Sequence, residues 1–376
     1  MEIIDFKTKL WIGDYALAKL QDLHNKHVFV VTDPFLKDNG INKQIEEYLK
    51  NSECELFTDI VPDPPIDKIV SGIQKMAEFH ADTIIAVGGG SAIDAAKAMK
   101  FFGERAGDIK IEKFFAVPTT SGTGSEVTNF SILTIPSTET KVPLITDEIQ
   151  PDIAILDTDL VMSVPSQVTA DTGLDVLTHA IESYVSSNTN EVANVLSEKA
   201  VNLVFKYLEK AYKNGDDREA RSKMHLASCL AGMAFNLTSL GINHGIAHAA
   251  GARLHVPHGR INAILLPEVI AFNASLDDYD AFDNETAKKY MYLANCIGEG
   301  TTTNSRIGTQ SLIRQIKRLR QKLNEPATLT EYGLTKETLQ ENKQAICEGA
   351  LNDQCTATNP KKVTFADVTD ILAKII

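Results

Sequence analysis

The chain has 376 residues, of which 43% are hydrophobic and 23% charged, ordinary proportions for a globular protein with a length that suggests two domains. Its net charge of −13 argues against non-specific nucleic-acid binding, which needs a basic surface, and no apolar run approaches the roughly 20 residues that span a bilayer. No secretory pattern opens MEIIDFKTKLW, and five scattered cysteines without CxxC or Cys-His spacing predict a reducing, cytoplasmic setting.

In chain order, Leu10–Leu23 has the composition of a segment that could contribute to targeting. His27–Thr32 (HVFVVT) is a β-branched run ending at Asp33 and predicts a buried parallel strand. A helix over Asn42–Leu49 and a strand over Glu55–Phe57 follow, then a loop in VPDPPID, where prolines prevent regular structure. Ile66–Phe79 predicts a helix and Thr83–Val87 a strand that runs into Gly88, Gly89, Gly90 and Ser91; a helix over Ala92–Met99 comes next. Phe114–Val117 is a strand entering PTTSGTGSE, and Ile153–Leu156 the last strand of this half. Alternating strands and helices imply a parallel α/β sheet. After Val164 the pattern turns helical: Asn190–Tyr212, Glu219–Phe235, Asn243–Leu254, Glu285–Ile297, Ile307–Lys322, Lys336–Glu348 and Phe365–Ile375. The expected organisation is an α/β domain over residues 1–164 and an all-α domain over 165–376.

Glycines between a strand and a helix let backbone approach a diphosphate, and the helix start at Ser91 offers unpaired N–H groups and a positive dipole end. A tight structural turn is the plain alternative. Asp94 and Lys97 lie at i, i+3 on that helix, the spacing of a surface ion pair. Asp33 closes the first strand, where a carboxylate accepts bonds from a ribose diol and repels a 2′-phosphate, favouring NAD over NADP; an ordinary turn aspartate fits the place equally. Thr119, Thr120 and Thr123 belong to a small-hydroxyl loop, either a phosphate and ribose site or a polar connection. Two such loops on one sheet favour a nucleotide.

In TGLDVLTHAIESY, Asp175 and His179 stand four apart on a predicted helix and share one face. Alone, such a pair is usually a surface feature. Downstream, GINHGIAHAAGARLHVPHG places His244, His248, His255 and His258 within fifteen residues, which favours a divalent metal site. Spacing alone would pair His244 with His248. His24, His27, His80 and His225 join no motif.

Together, GGGSAIDAAK, PTTSGTGSEVT, GLDVLTHAIE, AGMAF and HGIAHAAGARLHVPHG resemble, in order and spacing over essentially the whole chain, the iron-containing (group III) alcohol dehydrogenases. Within the family, VPDPPI and QVTADTGLDVLTHAIES look most like the propanol dehydrogenases of bacterial propanediol utilisation. The resemblance implies a Rossmann-like domain followed by an all-α domain, the dehydroquinate synthase-like fold. It makes Asp175, His179, His244 and His258 the metal ligands and leaves His248 beside nicotinamide and substrate. It places Asp33 at the adenosine ribose, Gly88–Ser91 at the diphosphate, Thr119, Thr120 and Thr123 in the second loop, and Lys141 near the nicotinamide ribose; Asp94 is counted with the cofactor-binding residues.

Two departures stand out: Lys361, where many relatives carry arginine, and His255, at a variable position. The implied cofactors are NAD(H) and Fe2+, with Zn2+ fitting the same donors. The implied reaction is reduction of a short aldehyde to a primary alcohol, propanal to 1-propanol first. A homodimer, free in the cytoplasm or with microcompartment proteins as partners, is the family expectation. A zinc glycerol dehydrogenase, an ethanol dehydrogenase of ethanolamine utilisation and a non-catalytic microcompartment component are the rivals.

Overall fold

The computed structural model describes residues 4–34, 40–61, 64–107, 109–135, 140–298 and 300–376, and of Ile135, Thr140, Lys141 and Ala252 the backbone alone. The chain divides into two compact units, Met1–Val164 and Pro165–Ile376. No single described helix is long and apolar enough to cross a membrane.

The first unit is built on strands β1 (Lys9–Ile12), β2 (His27–Thr32), β3 (Glu53–Phe57), β4 (Thr83–Gly88), β5 (Lys113–Pro118) and β8 (Ile153–Leu156), all parallel, in the order β1-β8-β5-β4-β2-β3. Side chains alternate between its faces. Phe29, Val31, Ile84, Ala86, Phe114 and Ala116 pack with α2 (Ile66–Glu78) and α3 (Gly90–Ala106). Val28, Val30, Ile85, Val87, Phe115 and Val117 pack on the other face with Leu17, Leu20 and Ile45, the last on α1 (Ile41–Tyr48). With both faces covered, β2 is apolar from Val28 to Val31 and β4 from Ile84 to Val87, which is why they were legible.

Three strands escaped the sequence reading. The edge strand β1 is only four residues long and partly exposed, and β6 (Phe130–Ile135) with β7 (Thr140–Ile145) forms a separate antiparallel hairpin. The segment Leu10–Leu23 contains most of β1 and a 3-10 turn over Ala16–Asp22 whose Leu17 and Leu20 are buried. Part of VPDPPID (Pro62 and Asp63) lies outside the described residues; Pro65 caps α2, since a proline costs nothing where no helical N–H is needed.

The second unit is helical: α4 (Ser166–Val185), α5 (Glu191–Lys213), α6 (Arg218–Thr238), α7 (Ile242–Leu254), α8 (His258–Asn273), α9 (Glu285–Ile297), α10 (Ser305–Lys322), the single turn α11 (Leu329–Tyr332), α12 (Lys336–Asn352) and α13 (Phe365–Lys374). Asn190, Asp217, Asn284, Asn304, Thr335 and Thr364 each accept a first-turn backbone N–H, fixing the helix starts. Helix α4 is the axis of this unit, buried continuously from Gly173 to Val185.

Helix α8 was not anticipated. Pro267 lies inside it, a residue that normally breaks a helix by removing one N–H and freeing the carbonyl four residues back. That carbonyl, on Ala263, accepts a bond from buried Arg320 of α10 at 3.2 Å. A tertiary contact satisfies what the local sequence leaves open.

Candidate metal centre and cofactor cradle

Asp175, His179 and Glu182 fall at i, i+4 and i+7 on α4, a single stripe of one helix face. Helix α7 brings His244 and helix α8 brings His258, its first residue. Gly259 makes the approach of α8 feasible: a Cβ there would overlap the Asp171 carbonyl of α4 and lie 3.3 Å from Asp175 Cβ. The Asp175, His244 and His258 donor atoms all lie within 4.8 Å of one another. Asp175 Oδ1 stands 3.7 Å from His244 Nε2 and 3.8 Å from His258 Nε2. With metal–ligand bonds of about 2.1 Å, such separations subtend ~125° at an ion. The residues fit the implied Fe2+ or Zn2+ in spacing and donor chemistry. His179 joins differently: its ring stacks on His244 at 4.6 Å and against Phe235 at 4.8 Å.

The surroundings orient these groups. Glu182 takes His244 Nδ1 at 2.5 Å and the Asn243 backbone N–H at 2.8 Å, so Nε2 is the atom His244 turns to the centre, as in carboxylate–histidine–metal arrangements. Asn262 donates to Asp175 Oδ1 at 2.8 Å, and its Nδ2 also lies 3.2 Å from His244 Nε2 and 3.1 Å from His258 Nε2. Burial would raise the Asp175 carboxyl, but His179, His258 and His244 outweigh it and hold it well below the usual carboxylate range. Burial opposes a proton on His244, yet Glu182 and Asp175 lift that imidazole to about 9. A cation at these atoms therefore displaces a proton.

His248 does not pair with His244 as a fourth-residue repeat suggests. Its ring lies flat on His258 (5.3 Å, 9°), and its Nδ1 meets Asp353 Oδ2 at 2.9 Å. Burial of Asp353 is outweighed by His248, and its carboxyl falls to about 2. His255 is the exposed C-cap of α7 with φ 52°, not a lining residue of this cluster. Lys361 keeps partners of its own, donating to Phe272 O at 3.1 Å and Ser275 Oγ at 3.0 Å. Glu182, Asn243, Asn262 and Asp353 were missed; only Glu182 had a signal, its place on the Asp175–His179 stripe.

In the first unit the candidate cofactor residues meet at the carboxyl ends of β2, β4 and β5. The chain runs from β2 outward to β3, then returns to β4 on the other side of β2, and such a reversal is where open α/β sheets bind ligands. Asp33 follows β2, and a Cβ on Gly88 would lie 3.3 Å from its Oδ2; Gly88 also has φ +155°, which disfavours any other residue. Gly89 caps α3, so Gly90 and Ser91 sit in the first turn, among unpaired N–H groups. Thr119 N–H donates to Gly88 O at 3.0 Å. Thr120 Oγ1 faces Gly89 and Thr123 Cγ2 faces Gly90, where added Cβ atoms would come within 3.4 and 2.8 Å.

Asp94 accepts from Ser125 Oγ at 2.6 Å and Ile132 N–H at 3.0 Å. Lys97 is fully buried, so the surface ion pair expected of these two is not what forms. Lys141 lies on β7 opposite Thr134; its side chain is outside the described residues.

Both units match family models: residues 7–158 match iron-containing alcohol dehydrogenase, and 169–376 the C-terminal part of the Fe-containing alcohol dehydrogenase family. The chain belongs to the iron-containing alcohol dehydrogenase family. It is 39% identical to the 1-propanol dehydrogenase PduQ of Citrobacter freundii over 100% of both chains, and 38% identical to an NADPH-dependent butanol dehydrogenase of Clostridium saccharobutylicum over 96% of this chain and 95% of that one. Among solved structures, a 1,3-propanediol oxidoreductase superposes with TM-score 0.90 at 28% identity, covering 100% of both chains. A sulfoacetaldehyde reductase from Bifidobacterium kashiwanohense, in complex with NAD+, superposes with TM-score 0.86 at 26% identity, covering 100% of this chain and 99% of that one.

Proposed function

We propose that this enzyme reduces short aldehydes to primary alcohols with NADH, propanal to 1-propanol first, at a divalent metal held by Asp175, His179, His244 and His258. The convergence of Asp175, His244 and His258 carries this reading; the 39% identity to a 1-propanol dehydrogenase supports the substrate, and Asp33 beside Gly88 supports NAD over NADP. When bound, the ion supplies Lewis acidity toward the substrate oxygen and the nicotinamide supplies hydride. Asp175 and the three histidines would hold the ion, with the Asp175 carboxylate offsetting part of its charge, and Glu182 orients His244 toward that place. Reduction adds hydride at the carbonyl carbon and a proton at its oxygen. His248, with Nδ1 engaged by Asp353 and its side chain 22% exposed, is the residue assigned to hand on that proton.

Fe2+ is the favoured metal on family grounds and Zn2+ the second. The working form is taken as a cytoplasmic homodimer acting on a small molecule, alone or with microcompartment proteins; sedimentation of the purified protein tests the dimer. The NADPH-dependent butanol dehydrogenase relative supports a second reading, with NADPH and a longer aldehyde.

The deciding assay is oxygen-free protein loaded with Fe2+ or Zn2+ and tested with NADH and NADPH on a series of short aldehydes. Fastest turnover of propanal with NADH supports the proposal; no turnover with any pair rejects it. His258→Ala is expected to lose bound metal and activity while keeping NADH binding, and retained metal with full activity would remove His258 from the ligand set.

A further inference from the structure

Lys97, in α3, is 0% exposed. An apolar side chain would fill such a place without the cost of burying an ammonium. Its Nζ donates to Ser125 Oγ at 2.9 Å, Thr128 Oγ1 at 3.1 Å and Phe130 O at 2.7 Å, as many bonds as an ammonium has protons. All three partners lie on the segment that continues from the Thr119–Thr123 loop into β6. Asp94, one turn earlier on α3, grips the same segment: its Oδ1 accepts from Ser125 Oγ, its Oδ2 from Ile132 N–H, and its backbone O from Ser131 Oγ at 3.0 Å. Ser125 Oγ is the shared atom, donating to Asp94 and accepting from Lys97.

At the other end of this segment, Thr120 and Thr123 abut Gly89 and Gly90 at the start of the same helix. We infer that Lys97 is a positioning residue for the dinucleotide, fixing the threonine loop against the glycine turn so that both present one preformed cradle. Burial lowers the Lys97 pKa to about 8 against the opposing pull of Asp94 and Glu126, in keeping with an ammonium retained for its directed bonds. The inference rests on the dinucleotide reading of these loops.

The test is NADH binding to the full-length protein, followed by nicotinamide fluorescence. Lys97→Met is expected to weaken Kd at least about tenfold, with kcat at saturating NADH and bound metal within about twofold. Ser125→Ala is expected to weaken Kd as well. The double variant should lose less than the product of the two single losses, because both changes cut the same bond. A folded Lys97→Met protein with lowered Tm but unchanged Kd would reduce Lys97 to a structural role and overturn the inference. If that variant does not fold, Ser125→Ala decides, and an unchanged Kd overturns it. Wild-type protein binding neither NADH nor NADPH would sink the dinucleotide reading itself, and the inference with it.

Discussion

Asp33 and Glu182 show how a single carboxylate acquires its task from what stands beside it. Asp33 stands beside Gly88, and in the proposed cofactor site its negative charge would accept hydroxyl hydrogen bonds and repel a 2′-phosphate. Asp33→Ala is expected to shift the NADPH-to-NADH ratio of kcat/KM toward NADPH by about tenfold or more, measured with propanal on metal-loaded enzyme; an unmoved ratio would take Asp33 out of cofactor choice. Glu182 is 3% exposed and spends both oxygens on the α7 start, one on His244 Nδ1 and one on Asn243 N–H. Glu182→Gln keeps the shape but removes the charge opposite the imidazole. Metal affinity should fall about 10–100-fold, read by chelator competition without oxygen, and an unchanged affinity would mean that His244 needs no orienting partner.

Helices α4 and α8 touch at the candidate metal site because Gly259 has no side chain. The atom a Cβ would strike is backbone, the Asp171 carbonyl, so no rotamer change relieves it. Gly259→Ala must push the start of α8 away, carrying His258 from Asp175. Loss of roughly 1–3 kcal/mol of stability is expected from the overpacking, with metal retention reduced in parallel, checked by thermal melting and metal analysis of one preparation. Gly173 offers the contrast. A Cβ there meets the end of the Leu208 side chain, which can rotate, so the same substitution should cost less. The Pro267–Arg320 pairing follows similar logic: within α8, α10 supplies a donor to the Ala263 carbonyl that the proline frees.

Over the whole molecule, pH sensitivity of folding has an identifiable source. His225 of α6 is 2% exposed, and burial lowers its pKa from 6.5 to about 4. An unfolded chain takes up that proton near pH 6.5, whereas the folded one resists until about pH 4, so the contribution of His225 is fully present above 6.5 and is lost as pH falls toward 4. The shift corresponds to roughly 3 kcal/mol. His225→Leu should flatten the fall in stability between pH 6.5 and 4 in urea titrations; an unchanged slope would assign acid sensitivity elsewhere.

Much of this was legible locally. Fully buried strands such as β2 and β4 are apolar on both faces, capped helices announce their starts, and the GGGS turn and the Asp175–His179 spacing depend on neighbours a few residues apart. What escaped depended on partners far along the chain: β1 needs β8, the β6–β7 hairpin is a small satellite, and α8 needs Arg320. The same divide runs through the site. The histidine cluster was visible, but spacing alone would have paired His244 with His248; the family resemblance chose His258, and the fold brings it there, because α8 returns to α4 while His248 turns to Asp353. Lys97 looked like half of a surface pair and is instead an interior cation with three bonds to the threonine-loop segment. Sequence by itself determined which chemistry is present, since side-chain type and helical or strand period are local properties. Tertiary structure alone decided which donor atoms face one another and which charges leave water, because both follow from segments brought together across long stretches of chain.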